Sequence, residues 1–256
     1  MKTALIGYTG FVGSNLLSQR SFDVLVNSRN VSELISQEFE LVICAGVQAR
    51  KWWANQQPDA DWQGIQKLLD VLATICAERF VLVSTVDVYP CPLGVTESSS
   101  TAGENHAYGL HRLAVENFVR ERFPLGYIVR LPGLFGPGLK KNVIFDLLHD
   151  NCLDQINPGS IYQYYDLRGL WTDIHRMMDA GLPLLNIATQ PVKTADIIRS
   201  FFPYQNARVG EPQAFHVNYD MQSEFGSLWN SQAPGYLYSS ETVLEQIGDF
   251  VASEKP

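Results

Sequence analysis

The sequence predicts an α/β fold in which a parallel sheet is covered by helices on both sides. Two observations carry this prediction: strand-like and helix-like segments alternate along the chain, and the strand-like segments are apolar throughout. At 256 residues, 46% of them hydrophobic, the chain is long enough for one large domain with a small appended lobe. We therefore expect a doubly wound parallel sheet with a small C-terminal lobe.

The predicted elements follow in regular order from the N-terminus. A helix is expected where apolar residues recur every three or four positions, as Ile65, Leu68, Leu72 and Ile75 do. Short apolar runs bounded by polar residues, Gly or Pro are expected to be strands. The expected strands are residues 3–6, 22–26, 41–45, 80–83, 127–131, 161–165 and 184–187. The expected helices are residues 11–19, 32–39, 61–78, the segment that contains Tyr108, 169–180 and 195–202.

Composition argues against several classes of function. The formal net charge is −8 and no basic cluster stands out, which disfavours a nucleic-acid or anionic-membrane partner. No apolar stretch is long enough to cross a bilayer, and the N-terminal segment lacks the apolar run of a signal peptide. The cysteines are scattered and the histidines lack metal-ligand spacing. We expect a cytoplasmic protein that binds a small molecule and no metal.

A glycine-rich turn, GYTGFVG, joins the first predicted strand to the first helix. Glycines let such a turn close tightly and let backbone N–H groups approach a pyrophosphate, which the helix N-terminus also favours. A merely structural turn explains the same glycines, but the position at the start of an alternating chain favours dinucleotide binding. The expected cofactor contacts in this turn are Gly7, Thr9, Gly10, Phe11, Val12 and Gly13.

The turn and the alternating elements together predict a Rossmann-like domain that binds a dinucleotide. We assign residues 1–132 and 160–202 to this domain. Residues 133–159 and 203–256 are richer in Gly, Pro and aromatic side chains. They are expected to form a small lobe that binds the substrate.

The end of the second strand bears on the choice between NAD and NADP. An acidic residue there would bind the 2′-hydroxyl of the adenosine ribose and repel a 2′-phosphate. The strand instead ends in Asn27, Ser28 and Arg29, without a carboxylate, and Arg29 can pair with a phosphate. A polar loop with an exposed arginine would look the same, but the pattern favours NADP(H) over NAD(H).

Tyr108 and Arg112 stand one helical turn apart in the segment HAYGLHRLAVENF. On a helix, side chains with this spacing have Cβ atoms about 5–6 Å apart. The arginine cation would favour the phenolate and lower the tyrosine pKa from its usual value of about 10. A surface pair on an amphipathic helix has the same spacing, so the assignment depends on the rest of the chain.

Four motifs, in order, make the chain resemble the extended short-chain dehydrogenases/reductases, in the branch called the NAD-dependent epimerase/dehydratase family. They are the glycine turn, STVDVY at 84–89, the Tyr108 segment and RLPGLFGP at 130–137. The resemblance covers most of residues 1–200. It implies that Tyr108 is the catalytic tyrosine and that Thr85 hydrogen-bonds the substrate oxygen. Arg112 stands where the family has a lysine that binds the nicotinamide ribose.

Three positions depart from the family pattern. Arg112 keeps the lysine's charge but cannot give up a proton, so proton resupply must come by another route, for example from water or His111. The asparagine that usually opens the Asn-x-Tyr/Phe-Gly-Pro turn is Gly133, which leaves the substrate class open. The dehydratases follow their threonine with Asp-Glu, whereas this chain has Val86 and Asp87. Elimination of water is therefore not expected, although Asp87 could act as an acid or base.

The sequence therefore predicts an NAD(P)-dependent oxidoreductase or epimerase that acts on a sugar nucleotide or a similar polyol or ketone. Hydride would pass to or from the nicotinamide C4 while Tyr108 exchanges the proton. Further residues are expected at strand ends, where ligands of open α/β sheets bind. For the cofactor these are Cys44, Ala45, Gly46 and Leu131; for the substrate they are Gln48, Lys51, Val86, Asp87, Tyr89 and Gly133. Tight packing also explains the small residues at 44–46, and a surface or packing role explains Gln48, Lys51, Asp87 and Tyr89 equally well.

The alternative is an NADP(H)-binding regulator or scaffold without turnover. Arg112 and Gly133 keep this alternative open, whereas the presence of both Thr85 and Tyr108 favours an enzyme. The short second crossover, residues 30–41, resembles that of the reductase members that act on deoxysugar nucleotides. The family often dimerises through two helices, here those at 61–78 and around Tyr108, so the resemblance also implies a homodimer.

Overall fold

The computed structural model describes residues 2–211, 213, 216–229 and 232–254. Its strands are β1 (Thr3–Ile6), β2 (Val24–Val26), β3 (Glu38–Cys44), β4 (Cys76–Thr85), β5 (Leu93–Val95), β6 (Gly126–Leu131), β7 (Gly133–Phe135), β8 (Ile161–Tyr162), β9 (Tyr164–Asp166), β10 (Leu184–Asn186), β11 (Val192–Lys193) and β12 (Asp220–Met221). Its α-helices are α1 (Phe11–Gln19), α2 (Lys51–Gln56), α3 (Pro58–Leu72), α4 (Ala107–Arg122), α5 (Val143–Leu148), α6 (Leu170–Asp179), α7 (Thr194–Phe201) and α8 (Ser240–Glu254).

The chain divides into two compact units, each formed by separate segments. Unit 1 consists of Met1–Cys91, Ser99–Leu131 and Arg168–Leu185. Unit 2 consists of Pro92–Ser98, Pro132–Leu167 and Asn186–Pro256. The division differs from the expected domains at residues 92–98, 132, 160–167 and 186–202, which fall in unit 2. The second half of the chain thus returns to unit 1 only for the stretch that contains α6.

A six-stranded sheet with the order β10-β6-β4-β3-β1-β2 forms the centre of unit 1. The pairings of β1 with β2, β1 with β3, β3 with β4, and β4 with β6 are all parallel. In the register Ile6 is opposite Cys44, and Thr85 is opposite Leu131. The carboxyl ends of these strands therefore meet at one edge, and the expected parallel α/β fold is confirmed.

Both faces of this sheet are buried, as the continuous apolar strands predict. On one face Ile6, Val42 and Leu82 pack with apolar residues of α3 and α4. Because successive strand residues point to opposite faces, Leu5 and Ile43 belong to the other face, and both are fully buried. Among the described residues, no helix is long and apolar enough to span a bilayer.

Two of the expected helices are wrong at their ends. The helix expected at 32–39 is a 3-10 turn at Val31–Leu34, and β3 already begins at Glu38. Pairing with β4 explains the difference, because Phe39 lies opposite Ala77 in the sheet and its ring is buried. The helix expected at 61–78 ends at Leu72, since the residues from Cys76 onward belong to β4. Tertiary pairing thus overrides local periodicity at both places.

Unit 2 has its own apolar core, in which Phe135, Ile144, Ile198 and Phe250 are buried. These residues come from β7, α5, α7 and α8, and neither α5 nor α8 was expected from the sequence. The single strand expected at 161–165 is two strands separated by Gln163. β8 pairs with β11, whereas β9 pairs with β7, so the chain changes partner at this residue.

A buried ion pair ties α4 to the sheet of unit 1. Glu116 of α4 has no exposed side-chain surface and pairs with Arg130 of β6 at 2.6 Å. A second Arg130 nitrogen, Nε, donates to the same carboxylate at 3.0 Å, and the Ser84 hydroxyl donates to it at 2.6 Å. Arg130 also donates to the Tyr89 hydroxyl at 2.6 Å. One carboxylate therefore links α4, β4 and β6.

We predict that Glu116→Ala lowers the free energy of unfolding by about 3–5 kcal/mol, because it leaves the Arg130 charge buried without its partner. Urea unfolding followed by circular dichroism measures the change. The control Glu121→Ala alters an exposed carboxylate of the same helix and should stay within about 0.5 kcal/mol of the wild type. Equal effects of the two substitutions would contradict a role for the ion pair.

Candidate active site

The site residues expected from the motifs meet where β4 ends. Thr85 is the last residue of β4, and a 3-10 turn at Val86–Val88 follows it. The Thr85 hydroxyl accepts a hydrogen bond from the Asp87 backbone N–H at 3.2 Å, which caps this turn. Val86 was expected to contact a substrate, but its side chain is buried and is not available for that contact. The turn instead presents the side chains of Thr85 and Asp87.

The N-terminus of α4 is fixed against this turn by polar side chains. The Asn105 amide donates to the Asp87 carbonyl oxygen at 2.9 Å, and Asn55 of α2 accepts from the Tyr108 N–H at 3.0 Å. His106 caps the helix by accepting from the Gly109 N–H at 3.0 Å. A Cβ atom on Gly109 would lie 2.2 Å from the Asp87 carbonyl oxygen, so only glycine allows this close approach.

Tyr108 is buried beside Thr85, and the two side chains form a hydrogen bond. Burial raises the pKa of Tyr108, and the nearby Asp87 carboxylate raises it further. Arg112, the Thr85 hydrogen bond and Lys51 act in the opposite direction without cancelling these effects. Arg112 therefore acts in the expected direction, but the expected net lowering of the Tyr108 pKa is wrong, because desolvation of the phenolate dominates. The phenol is protonated at neutral pH.

Arg112 is held by a buried aspartate that the sequence analysis did not identify. Asp61 of α3 accepts from the two terminal guanidinium nitrogens of Arg112, at 2.5 and 3.3 Å. Arg112 also donates to the Gln48 carbonyl oxygen, and its guanidinium lies over the Tyr108 ring, 4.2 Å from the centroid. The arginine is thus ion-paired and buried, and its charge is largely compensated within unit 1.

Asp61 also contacts His111, whose Nδ1 lies 2.8 Å from the carboxylate. Burial opposes ionisation of Asp61, but the hydrogen bonds from Arg112 and His111 outweigh it and lower the pKa of this carboxyl group. The His111 ring also packs against Trp62, with 5.3 Å between centroids. His111 is therefore engaged with α3, which makes it a poor source of protons for Tyr108.

Lys51 and Asp87 form a second ion pair at this site. The Lys51 ammonium lies 2.7 Å from Asp87 Oδ1, and 40% of the Lys51 side chain is exposed against 15% of Asp87. Both charges act electrostatically on Tyr108. The structure thus brings the expected pocket residues Lys51 and Asp87 close to Tyr108. By contrast, the Gln48 carbonyl oxygen is used by Arg112 while the rest of that residue is exposed.

Tyr89 is not a pocket residue, although the sequence analysis placed it there. Only 2% of its surface is exposed, and its hydroxyl accepts a hydrogen bond from Arg130. The Arg130 guanidinium also lies over the Tyr89 ring, 4.7 Å from the centroid. Tyr89 therefore belongs to the buried network of Glu116.

The glycine-rich turn lies at the same sheet edge, between β1 and α1. Gly7 has a φ of +85°, and a Cβ atom there would lie 2.5 Å from the Ala45 carbonyl oxygen. The N-cap residue of α1 is Gly10, which has no side chain to cap the helix. The first turn of α1 contains no acidic residue. This end of the helix is free of competing charge and suits a negative pyrophosphate. Thr9 is exposed, and Phe11 and Val12 are half-buried beside it.

The Cys44-Ala45-Gly46 segment packs against this turn. The Cys44 side chain is fully buried, and burial raises the pKa of its thiol to about 11, so any cofactor contact of this residue would be made by its backbone. Ala45 donates its N–H to the Ile6 carbonyl oxygen at 2.9 Å and leaves no room for a side chain on Gly7. Close packing of strand on turn therefore accounts for these small residues. Leu131 is buried at the end of β6.

The loop after β2 contains a carboxylate that the sequence analysis overlooked. Asn27 accepts from the Arg29 N–H at 2.9 Å, while Arg29 and Ser28 are exposed. Asn30 accepts from the Asn27 N–H at 2.8 Å and donates to the Glu33 carboxylate at 3.2 Å. Because the 3-10 turn folds back, Glu33 lies at this loop despite its distance in sequence from the strand end. The strand end itself has no carboxylate, as the sequence analysis states, but the fold brings the Glu33 carboxylate to the same loop.

Gly133 opens β7 in unit 2, and local packing explains why no asparagine stands there. Its N–H donates to the Gln163 carbonyl oxygen at 3.0 Å. A Cβ atom at this position would lie 2.7 Å from the same oxygen, so a larger residue requires the backbone to move. The missing asparagine is thus a consequence of the contact between β7 and the β8–β9 segment.

The strand ends of this parallel sheet carry a glycine turn, a Thr–Tyr hydrogen bond and paired ionic groups. Together these features are typical of an α/β protein with a dehydrogenase-like site. The model of the NAD dependent epimerase/dehydratase family matches residues 21–155, more than half of the chain, and the chain belongs to this family. The match contains Thr85, Tyr108 and Arg112 and begins after the glycine turn. No match was found among curated proteins.

Solved structures of similar fold include a reductase, an epimerase and a dehydratase. The dTDP-4-dehydrorhamnose reductase of Bacillus anthracis in complex with NADP is 18% identical, with a TM-score of 0.73 and 99% of each chain covered. The UDP-glucose 4-epimerase of Thermotoga maritima with UDP-glucose is 16% identical, with a TM-score of 0.72 and 98% of each chain covered. A dTDP-glucose 4,6-dehydratase mutant of Streptomyces venezuelae with NAD is 15% identical, with a TM-score of 0.76 and coverage of 98% of this chain and 96% of that one. These likenesses confirm the Rossmann-like fold.

We predict that Asp61→Ala destabilises the protein by about 3–5 kcal/mol, because it leaves the buried Arg112 charge unpaired. In an Arg112→Met background the same substitution should cost less, and a double-mutant cycle from urea unfolding measures the coupling. The control is Asp70→Ala, which removes an exposed carboxylate from the same helix.

The stabilisation by Asp61 should also depend on pH. Because the folded pKa is lowered, this stabilisation is complete above the unfolded value of about 3.9 and is lost as pH falls through the folded pKa. The stability difference between the wild type and Asp61→Ala should therefore shrink in acid. A difference that stays constant between neutral pH and pH 3 would contradict the ion pair's role.

Proposed function

We propose that this protein is an NAD(P)-dependent oxidoreductase or epimerase that acts on a sugar nucleotide or a similar polyol or ketone. The observation that carries the proposal is the hydrogen bond between Thr85 and Tyr108 at the carboxyl end of β4. Ligands of open α/β sheets bind at this edge, where the glycine turn also lies. Family membership and the reductase and epimerase folds above support the same conclusion.

The residues present fit a dinucleotide. The uncapped, uncharged N-terminus of α1 suits its pyrophosphate, and the exposed Arg29 suits a 2′-phosphate. When bound, the nicotinamide supplies the hydride that this chemistry requires. Arg112 is committed to Asp61 and to the Tyr108 ring, so its role is to position the tyrosine.

Tyr108 is proposed as the proton donor and Thr85 as the residue that orients the substrate oxygen. Because burial raises its pKa, Tyr108 holds its proton at neutral pH and suits a general acid. In reduction of a keto group, the carbonyl oxygen takes the phenol proton as hydride reaches the carbonyl carbon. The protonation state of Tyr108 therefore favours reduction of a ketone over oxidation of an alcohol at neutral pH.

A binding protein without turnover is the second candidate. The observation that favours it is the ion pair of Arg112 with Asp61, which withdraws from the site the charge that the family lysine provides. In that case the dinucleotide would act as a signal or a structural ligand. Tight NADP(H) binding, without turnover of any sugar nucleotide, would favour this candidate.

The cofactor prediction concerns Arg29 and Glu33. NADP(H) should bind more tightly than NAD(H), and Arg29→Ala should weaken NADP(H) binding by about 1.5–3 kcal/mol, the range for hydrogen bonds to charged groups. Glu33→Gln should strengthen NADP(H) binding, because it removes a carboxylate from the same loop. Fluorescence titration with both cofactors measures the affinities, with the exposed Arg199→Ala as the control. Equal affinities of the wild type for the two cofactors would refute the preference.

The catalytic prediction concerns Tyr108. Tyr108→Phe should abolish turnover and leave NADPH affinity nearly unchanged, because the hydroxyl acts in the transition state. One assay incubates the protein with NADPH and dTDP-4-keto-6-deoxyglucose, and a second incubates it with NADP⁺ or NAD⁺ and either UDP-glucose or UDP-galactose. Chromatography that separates the epimers, followed by mass spectrometry, identifies the products. Reduced or epimerised sugar is expected, and no product of water elimination. Because the Tyr108 pKa is raised, reduction should be insensitive to pH near neutrality, whereas alcohol oxidation should speed up with rising pH. A fully active Tyr108→Phe variant would place the site elsewhere.

A further inference from the structure

Arg112 leaves the site without a group that can return a proton to Tyr108. Its guanidinium stays protonated at any relevant pH, and it is buried between Asp61, the Gln48 carbonyl oxygen and the Tyr108 ring. We propose that Lys51, oriented by its ion pair with Asp87, supplies this proton in place of the family lysine. The inference rests on the proposed function.

Lys51 comes from a different element than the residue it would replace. It is the first residue of α2, and the same short helix provides Asn55, which accepts a hydrogen bond from the Tyr108 N–H at 3.0 Å. α2 is therefore fixed to the start of α4. The Asp87 carboxylate, on the turn that α4 contacts through Gly109, holds the Lys51 ammonium at 2.7 Å.

The other charged and titratable groups around Tyr108 are unsuited to this task. On α4, Arg112 cannot give up a proton. His106 is held at the start of the helix by its Nδ1 contact with the Gly109 N–H, and its ring centroid lies 6.2 Å from that of Tyr108. From the turn after β4, Asp87 is paired with Lys51. On the far side of Arg112, His111 is engaged with Asp61 of α3. Of the described groups that act on the Tyr108 phenol, Lys51 alone combines a positive charge with a proton that it can lose.

The proton balance is as follows in the direction of ketone reduction. The Tyr108 O–H bond breaks and its proton forms the hydroxyl of the product, which leaves a phenolate. The Lys51 ammonium passes one proton to the phenolate, directly or through one water molecule, and becomes a neutral amine beside the Asp87 carboxylate. With 40% of its side chain exposed, Lys51 then takes a proton from water. One proton enters from solvent for each hydride transferred, and the site returns to its starting state.

The test compares Lys51→Gln, Lys51→Arg and Lys51→Ala with the control Lys67→Gln, which alters an exposed lysine of α3. The probe is dTDP-4-keto-6-deoxyglucose with NADPH. Proton transfer by a positioned side chain contributes about 10²–10⁴-fold, so kcat should fall at least tenfold in all three Lys51 variants. Lys51→Arg separates a relay from a charge effect, because arginine keeps the charge and cannot release the proton. Added ethylamine should restore Lys51→Ala and have no effect on Lys51→Arg.

In Lys51→Arg, which keeps a cation beside Asp87, NADPH affinity and the thermal unfolding midpoint should stay close to those of the wild type. A Lys51→Arg variant as active as the wild type would overturn the relay. A second readout needs no substrate. In protein whose tyrosines carry ¹³C at Cζ, NMR follows the Tyr108 chemical shift as a function of pH. The midpoint of this titration should move to higher pH in Lys51→Gln and stay unchanged in Lys67→Gln. An unchanged titration in Lys51→Gln would also overturn the proposal. If the wild type turns over none of the sugar nucleotides, the proposed function fails instead.

Discussion

The geometry of the candidate site depends on how closely α4 packs against the end of β4. The fully buried Glu116 carboxylate binds both Arg130 of β6 and Ser84 of β4. These contacts fix α4 to two neighbouring strands of the sheet. Ser84 precedes Thr85, and Glu116 lies two turns beyond Tyr108 on the same helix. An error in this packing would separate the two hydroxyl groups that the chemistry requires. The absence of a side chain on Gly109 allows the final approach.

Much of this arrangement could be predicted from the sequence. The positions of β1, α1, β6 and the Tyr108 helix follow from apolar runs, glycine and proline, and the structure agrees to within a residue or two. Thr85 and Tyr108 could be paired because their spacing matches a family pattern. Family resemblance, more than propensity, carried the step from fold to chemistry.

The partners of the charged residues could not be predicted in this way. Asp61 was counted only as the start of an amphipathic helix, because nothing local shows that α3 places its carboxylate against Arg112. Tyr89 looked like a pocket residue until its contact with Arg130 was seen. The direction of the Tyr108 pKa shift was missed for the same reason, since a nearby cation is visible in sequence and burial is not. Long-range ion pairs and desolvation are properties of the folded chain.

The pairing of Asp61 with Arg112 also limits how this sequence can change. A lysine at position 112 would be a smaller donor, unable to reach both oxygens of Asp61 and the Gln48 carbonyl oxygen with one planar group. Replacement of Arg112 by lysine alone would leave the buried Asp61 carboxylate poorly paired. Loss of Asp61 alone would leave the buried Arg112 cation without its partner. Positions 61 and 112 are therefore expected to vary together among close homologues. A homologue that replaces Arg112 of α4 should therefore also replace Asp61 of α3.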